Sequence, residues 1–121
     1  LAESRLAGLL AKLSETNAGA LPAPDLLEIA TIGGAKALGI DNKIGSIEIG
    51  KDADIIAINT HTPSLQPLHD LQSQLVDTQA ANHVTHVWIA GKPVYEQDQY
   101  LTLDIDRTIE NAIAWQRKLC K

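Results

Sequence analysis

The sequence predicts an α+β domain, a small sheet flanked by helices, on three observations. Leu6, Leu9, Leu10 and Leu13 recur at helical spacing near one end. Ile55-Ile56-Ala57-Ile58 and Val84 to Ala90 are short apolar runs rich in β-branched residues, as expected of strands covered on both faces. A second helical pattern, Ile105, Ile109, Ala112, Ile113, Gln116 and Cys120, closes the chain.

Each element has a local reason. Residues 2–14 read as an amphipathic helix, with Glu3, Arg5 and Lys12 off the leucine stripe. Pro22 and Pro24 open a second helix over about 24–38, since proline lacks only an N–H that has no partner in a first turn. Asp25 and Glu28 complement its dipole, and Gly39 stops it. Gly33 and Gly34 inside it admit close approach of a phosphate or substrate, or close packing against a sheet or helix. Packing is favoured because nothing nearby reads as a phosphate loop. Residues 44–60 form a hairpin-like element in which Gly45 and Gly50 bracket a short extended piece, and Gly50-Lys51-Asp52 turns into the first strand. His61 to His69 is a loop with two prolines. Asp70 caps a short helix to Asp77, with Leu71, Leu75 and Val76 facing inward. Gly91-Lys92 turns the second strand into Pro93-Val94-Tyr95-Glu96, and Pro93 demotes the start of that return strand to an edge or turn. Asp98-Gln99 turns again, and Thr102 or Asp104 caps the last helix, to about 119.

Composition sets the outer bounds. A length of 121 residues allows one small domain. With no Phe, two Trp and two Tyr, the core must come from Leu, Ile, Val and Ala. A net charge of −5 and the lack of a basic stripe argue against nucleic acid. The one cysteine, Cys120, excludes an internal disulfide and fits a reducing, cytoplasmic setting. No apolar run approaches a membrane span, and no signal peptide is visible. There is no methionine, and the first helix has no capping residue before it. The expectation is therefore a part of a longer polypeptide.

The run Gly45-Ser46-Ile47-Glu48-Ile49-Gly50-Lys51-Asp52-Ala53-Asp54-Ile55-Ile56 resembles the C-terminal signature of the amidohydrolase superfamily. Ala30-Thr31-Ile32-Gly33-Gly34-Ala35-Lys36-Ala37-Leu38-Gly39 is similar to the helix before it, and Val84 to Lys92 to the strand and turn after it. The branch it looks most like holds the methylthioadenosine/S-adenosylhomocysteine deaminases and the triazine-hydrolase-like enzymes. The resemblance covers nearly the whole chain but only about the last quarter of such an enzyme. It implies that residues 1–43 are the last helical layer of a (β/α)8 barrel, 44–103 the C-terminal part of the small β subdomain beside it, and 104–121 a C-terminal helix that packs back on the assembly. It further implies a hydrolase in which a divalent metal, commonly zinc, activates water for attack on a C–N bond, here at an adenine-type amino group. The implied partners are the N-terminal part of the same enzyme and, through unfinished apolar surfaces and an open sheet edge, a second copy.

The family's ligands are a His-x-His pair, later histidines and an aspartate after the last barrel strand, and none matches a position here. His83 and His86, three apart on a strand, point to opposite faces. His61 and His69 share a loop but make only two ligands. Asp52 and Asp54 flank Ala53, and Asp54 beside the buried strand is either a general base or, with no histidine fixed nearby, a backbone-bonding turn residue. Lys51 reads as a solvated turn lysine rather than a Schiff-base former, Ser46 lacks a nucleophile elbow, and Cys120 reads as packed or incidental. Trp88 and Trp115 read as core or interface anchors rather than base-stacking platforms. The expectation is no catalytic, cofactor or metal residue in this chain and no activity by itself. The alternatives are a stand-alone structural or oligomerisation domain, or part of an amidohydrolase acting on a triazine, guanine or cyclic amide.

Overall fold

The computed structural model describes residues 1–120. In chain order it contains helix α1 (Ala2–Ser14), helix α2 (Ala23–Glu28) running through a π-helical turn (Ile29–Gly33) into α3 (Gly34–Ala37), strand β1 (Ile55–Ile58), helix α4 (Leu71–Asp77), strands β2 (Val84–Ile89), β3 (Lys92–Glu96) and β4 (Gln99–Tyr100), and helix α5 (Ile105–Leu119). Short 3-10 turns at Pro63–Leu65 and Ala80–His83 flank α4. The expected C-terminal segment ran to Lys121, which lies outside the described residues.

The helix ends follow their sequence signals. The Asp70 carboxylate accepts the Ser73 N–H at 2.8 Å and starts α4; the Asp104 carboxylate accepts the Arg107 N–H at 3.0 Å and starts α5. Pro22 precedes α2, and Gly39 with φ +70 ends the helical run. The run is not uniformly α. The Thr31 hydroxyl donates to the Leu27 carbonyl at 2.6 Å, and a Cβ on Gly33 would lie 3.0 Å from the Glu28 carbonyl oxygen. Gly33 thus makes room for the wider π turn of its own helix, which corrects the expected packing of Gly33 and Gly34 against another element.

The sheet is antiparallel with order β1-β2-β3-β4. The two apolar runs pair: Ile55 faces Trp88, Ile56 faces Val87 and Ala57 faces His86, with a bulge before Ile58. Two-residue turns join the later strands. Ala90 and Gly91 have φ 48 and 75, and Gln97 and Asp98 have φ 44 and 67, so both turns are of the primed kind that matches strand twist. The second turn lies one residue before the expected Asp98-Gln99. Pro93 pairs with Trp88 on one side and lies beyond the reach of β4, which covers only Tyr95 and Glu96.

Burial departs from expectation in three places. Residues 44–54 hold no ladder strand: bends at 44–46, a turn at Ile49-Gly50 and a bend at Lys51 frame residues 47–48, and Ile47 and Ile49 project outward. The sheet is only half covered, rather than covered on both faces: Ile56 is 50% exposed and Ile89 55%. The core instead sits in the helical layer, where Ala23, Leu26 and Val76 pack together with Leu21 and Leu27 against them. In α4, Val76 is the buried residue and Leu71 is half exposed. α1 meets this core through Gly8, whose absent Cβ would stand 2.7 Å from Leu26 Cδ1. At about 100° per residue, the leucine stripe lies half a turn away from Gly8, and all four leucines are exposed.

Gly45 joins helix and sheet layers. Its φ is +94, and a Cβ there would lie 2.8 Å from Ala35 Cβ and 2.9 Å from Ile32 Cα. Gly50 has φ +96 but open space around it. Gly50→Ala should cost about 1–2 kcal/mol for the backbone alone. Gly45→Ala should add an overpacking cost of about 1–3 kcal/mol. Urea midpoints of the two variants check the order, and equal midpoints would refute the contact at Gly45.

Candidate functional site

The groove beside Gly45 holds the densest polar chemistry of the signature stretch. It encloses about 430 Å³ between the π turn, at Ala30 and Thr31, and residues 44–48 and 51–56. On its wall the Lys51 ammonium donates to Ser46 Oγ, Ser46 Oγ donates to Glu48 Oε1, and Lys51 Nζ lies 3.5 Å from the same carboxylate oxygen. Lys51 is not the solvated turn residue expected, since its side chain is only 12% exposed. An ammonium can be covered this far because two oxygens replace its water. The Ser46 hydroxyl first, and the Lys51 charge second, hold the Glu48 carboxyl below its ordinary value. The hydroxyl is thus committed to a carboxylate and an ammonium, and a positively charged lysine cannot take its proton.

Asp54 accepts a backbone hydrogen bond, but across the sheet rather than in its own turn. Ala90 N–H donates to Asp54 Oδ1 at 2.7 Å, and Gly91 N–H donates to the Ala53 carbonyl at 3.0 Å. The pair fastens the start of β1 to the β2–β3 turn. Asp52 N–H donates to the Lys43 carbonyl at 2.8 Å and closes the turn below. The Asp54 carboxylate thus has structural work, whereas the bond at Asp52 uses its backbone alone.

The histidines are separated by their partners. His83 is in the 3-10 turn before β2, not on the strand, and its Nε2 lies 2.7 Å from Ser64 Oγ. His86 stacks on Trp88 with ring centroids 5.3 Å apart, and its Nε2 lies 3.4 Å from Glu96. His61 and His69 are exposed on the loop after β1. Among the described residues no three His, Cys, Asp or Glu side chains gather as metal ligands. Cys120 is exposed and free, and Trp115 is exposed with the Lys118 ammonium 4.8 Å over its ring, so neither is packed in a core. Sequence reasoning missed the Ser46–Glu48–Lys51 cluster and the Ser64–His83 bond. The first had a local signal in its short spacing; the second spans 19 residues and had none.

A second concavity, about 640 Å³, lies on the sheet between Val84, Val87, Val94, Tyr95, Tyr100 and Leu103. The Tyr95 and Tyr100 rings meet edge to face, and the Asp98 carboxylate, accepting from the Tyr95 hydroxyl, raises that phenol above its ordinary value. No helix among the described residues is long and apolar enough to cross a membrane.

Glu48 gives a pH test with a definite sign. Its lowered folded value means that its contribution to stability is present above the unfolded carboxylate value and is lost as pH falls through the folded one. A carbon-detected titration should place Glu48 below 4.5, and Ser46→Ala and Lys51→Met should each move it up. No movement in either variant would remove the cluster.

The chain is 42% identical over 118 residues to a 5-methylthioadenosine/S-adenosylhomocysteine deaminase of Teredinibacter turnerae, covering 98% of this chain and 27% of that one. It is 38% identical over 110 residues to a 5'-deoxyadenosine deaminase of Methanosarcina acetivorans, covering 91% and 25%. Among solved structures it superposes on an adenosine deaminase from Xanthomonas campestris with bound zinc at a TM-score of 0.92 and 42% identity, over 96% of this chain and 26% of that one. It superposes on a zinc-complexed atrazine chlorohydrolase of Arthrobacter aurescens at 0.83 and 28% identity, over 93% and 25%. The chain thus spans about a quarter of the length of the relatives it matches. A model of the amidohydrolase family matches residues 1–94, a stretch that includes α1, the signature turns and the β1–β2 pair, and the chain belongs to that family.

Proposed function

We propose that these residues are the C-terminal portion of a metal-dependent amidohydrolase that removes the amino group of an adenosine derivative, and that they do not catalyse this reaction alone. The observation carrying the substrate class is the gap between relatives: 42% identity to the deaminases of adenosine derivatives against 28% to the triazine enzyme, at similar coverage. Residues 1–43 are read as a terminal helical layer of a (β/α)8 barrel, 44–103 as the C-terminal part of the small β subdomain, and 104–121 as the C-terminal segment that carries α5 (Ile105–Leu119).

The described residues do not fit the metal. A hydrolytic zinc site needs about three converging ligands and an open position. Here His83 is bonded to Ser64, His86 is stacked on Trp88, and Asp54 holds the Ala90 amide. No step is therefore assigned through a metal on this chain. Its own residues do scaffold work: Gly45 lets the signature turn lie on the helix, and Asp54 fixes the β2–β3 turn. The metal ligands and the ring-binding groups belong, in this reading, to the rest of the enzyme.

Ammonia release tests the proposal. A polypeptide joining these residues to the other three quarters of an amidohydrolase chain should release ammonia from methylthioadenosine, S-adenosylhomocysteine or 5'-deoxyadenosine. It should release much less from guanine or an aminotriazine. The 121-residue chain should retain no stoichiometric zinc after dialysis and release none. Stoichiometric zinc and turnover in the short chain, both lost in His61→Ala with His69→Ala, would sink the reading. Preference for the triazine would replace the substrate class.

A further inference from the structure

A chain of side-chain contacts crosses the sheet through His86. The ring is half-buried on β2, opposite Ala57 of β1 and Glu96 of β3. Its Nδ1 lies 3.0 Å from Thr85 Oγ1, and that hydroxyl lies 3.3 Å from the Ala57 carbonyl oxygen. Its Nε2 lies 3.4 Å from Glu96 Oε1. The ring also stacks on Trp88, with centroids 5.3 Å apart and planes 4° from parallel. That is inside the distance of about 6 Å at which an aromatic face attracts a cation.

The proton count singles out one state of the ring. The Ala57 carbonyl and the Glu96 carboxylate only accept, and the Thr85 hydroxyl has one proton to give. A neutral imidazole has one as well. With that proton on Nδ1, the ring donates to Thr85 and Thr85 donates to Ala57, but a bare Nε2 lone pair faces the carboxylate. With it on Nε2, the ring donates to Glu96, but Thr85 must turn its proton to Nδ1 and release Ala57. Only the imidazolium makes all three links at once, and it sets a cation between Trp88 and Glu96. We propose that His86 is a proton-operated latch that ties β1, β2 and β3 together while the ring holds both protons and loses a link when it gives one up. The link is therefore present at acid pH and lost as pH rises through the deprotonation of the ring. Around His86, β3 presents Glu96, and β1 carries no titratable side chain. The 3-10 turn abutting β1 carries His83, whose ring is bonded to Ser64. Tyr95 lies opposite Val87, hence on the other face, with Asp98 and Tyr100 as its partners. Glu96 pairs with Gln99 of β4, and this hairpin carries the two tyrosines that wall the 640 Å³ concavity. The latch thus governs how firmly that wall is held to the rest of the sheet.

Ring-nitrogen NMR of the 121-residue chain, followed between about pH 5 and pH 8, tests the latch. At the acid end both His86 nitrogens should show protonated shifts, and the Thr85 hydroxyl and Trp88 indole signals should move in the same transition. Urea unfolding gives the second readout. Acidification across this range should raise the folded-to-unfolded ratio of the wild type about threefold more than that of His86→Gln or Glu96→Ala. His61→Gln, a change at an exposed loop histidine, should respond as the wild type does. A His86 ring that keeps one neutral tautomer down to the acid end would overturn the latch. So would a ring that titrates while the wild type and Glu96→Ala gain equally on acidification, since such a histidine ties nothing. The NMR arm uses the wild-type chain, so the latch can be refuted even where His86→Gln fails to fold.

Discussion

The contact of Gly45 with the helix at Thr31 to Ala35 is the constraint on which the arrangement of the two layers depends. A side chain there would meet Ala35 and the Ile32 backbone inside van der Waals distance, so the chain can cross the helix at this depth only without a Cβ. The following turns inherit their position from that crossing. Ser46, Glu48 and Lys51 tie the loop to itself, Asp52 bonds back to Lys43, and Ala53 with Asp54 delivers the chain to the β2–β3 turn. The signature stretch is thus a joint made of backbone proximity and short polar bonds. Only its last residues, Ile55 to Ile58, form a strand.

Features that depend on a few neighbouring residues were legible in the sequence. Asp70 and Asp104 as caps, Gly39 as a stop and the Ala90-Gly91 reversal follow from local backbone chemistry. The β1–β2 pairing was legible because two short β-branched runs of this length have few alternatives. The facing of α1 was not. A leucine stripe says that something apolar covers it, not which element does, and here the side that meets Leu26 is the one carrying Gly8. The π turn was hidden as well, since Thr31 and Gly33 are each compatible with an ordinary helix.

The candidate chemistry was legible to a smaller degree. Residue type suggested a backbone bond for Asp54, but the partner lies 36 residues away and depends on the sheet register. Lys51 beside Gly50 looked like a turn lysine, because exposure cannot be read from a single charged residue. Its cover comes from Ser46 and Glu48 folding over it. The histidines show the converse. Their count invites a metal, but the fold hands two of them to Ser64 and to the Trp88–Glu96 pair.

The balance of buried and exposed apolar groups bears on what the chain is for. Its buried hydrophobic side chains are Leu26, Leu65 and Val76 with four alanines, while twenty large hydrophobic residues are exposed among those described. At about 25 cal/mol per Å² of apolar surface removed from water, so small a core offsets little of the entropy of ordering a chain this size. Eleven of the twenty fall into three groups. They gather on α1 opposite Gly8 and on one side of α5, and Ile47 and Ile49 project from the loop that Gly45 anchors. Surfaces of this kind are stable when they are interior surfaces of something larger. The polar interactions, by contrast, are complete: no buried side-chain nitrogen or oxygen among the described residues lacks a partner. In the reading proposed above, these open apolar faces are the ones the rest of the enzyme covers, which adds hydrophobic stabilisation without disturbing the bonds that already fix the turns.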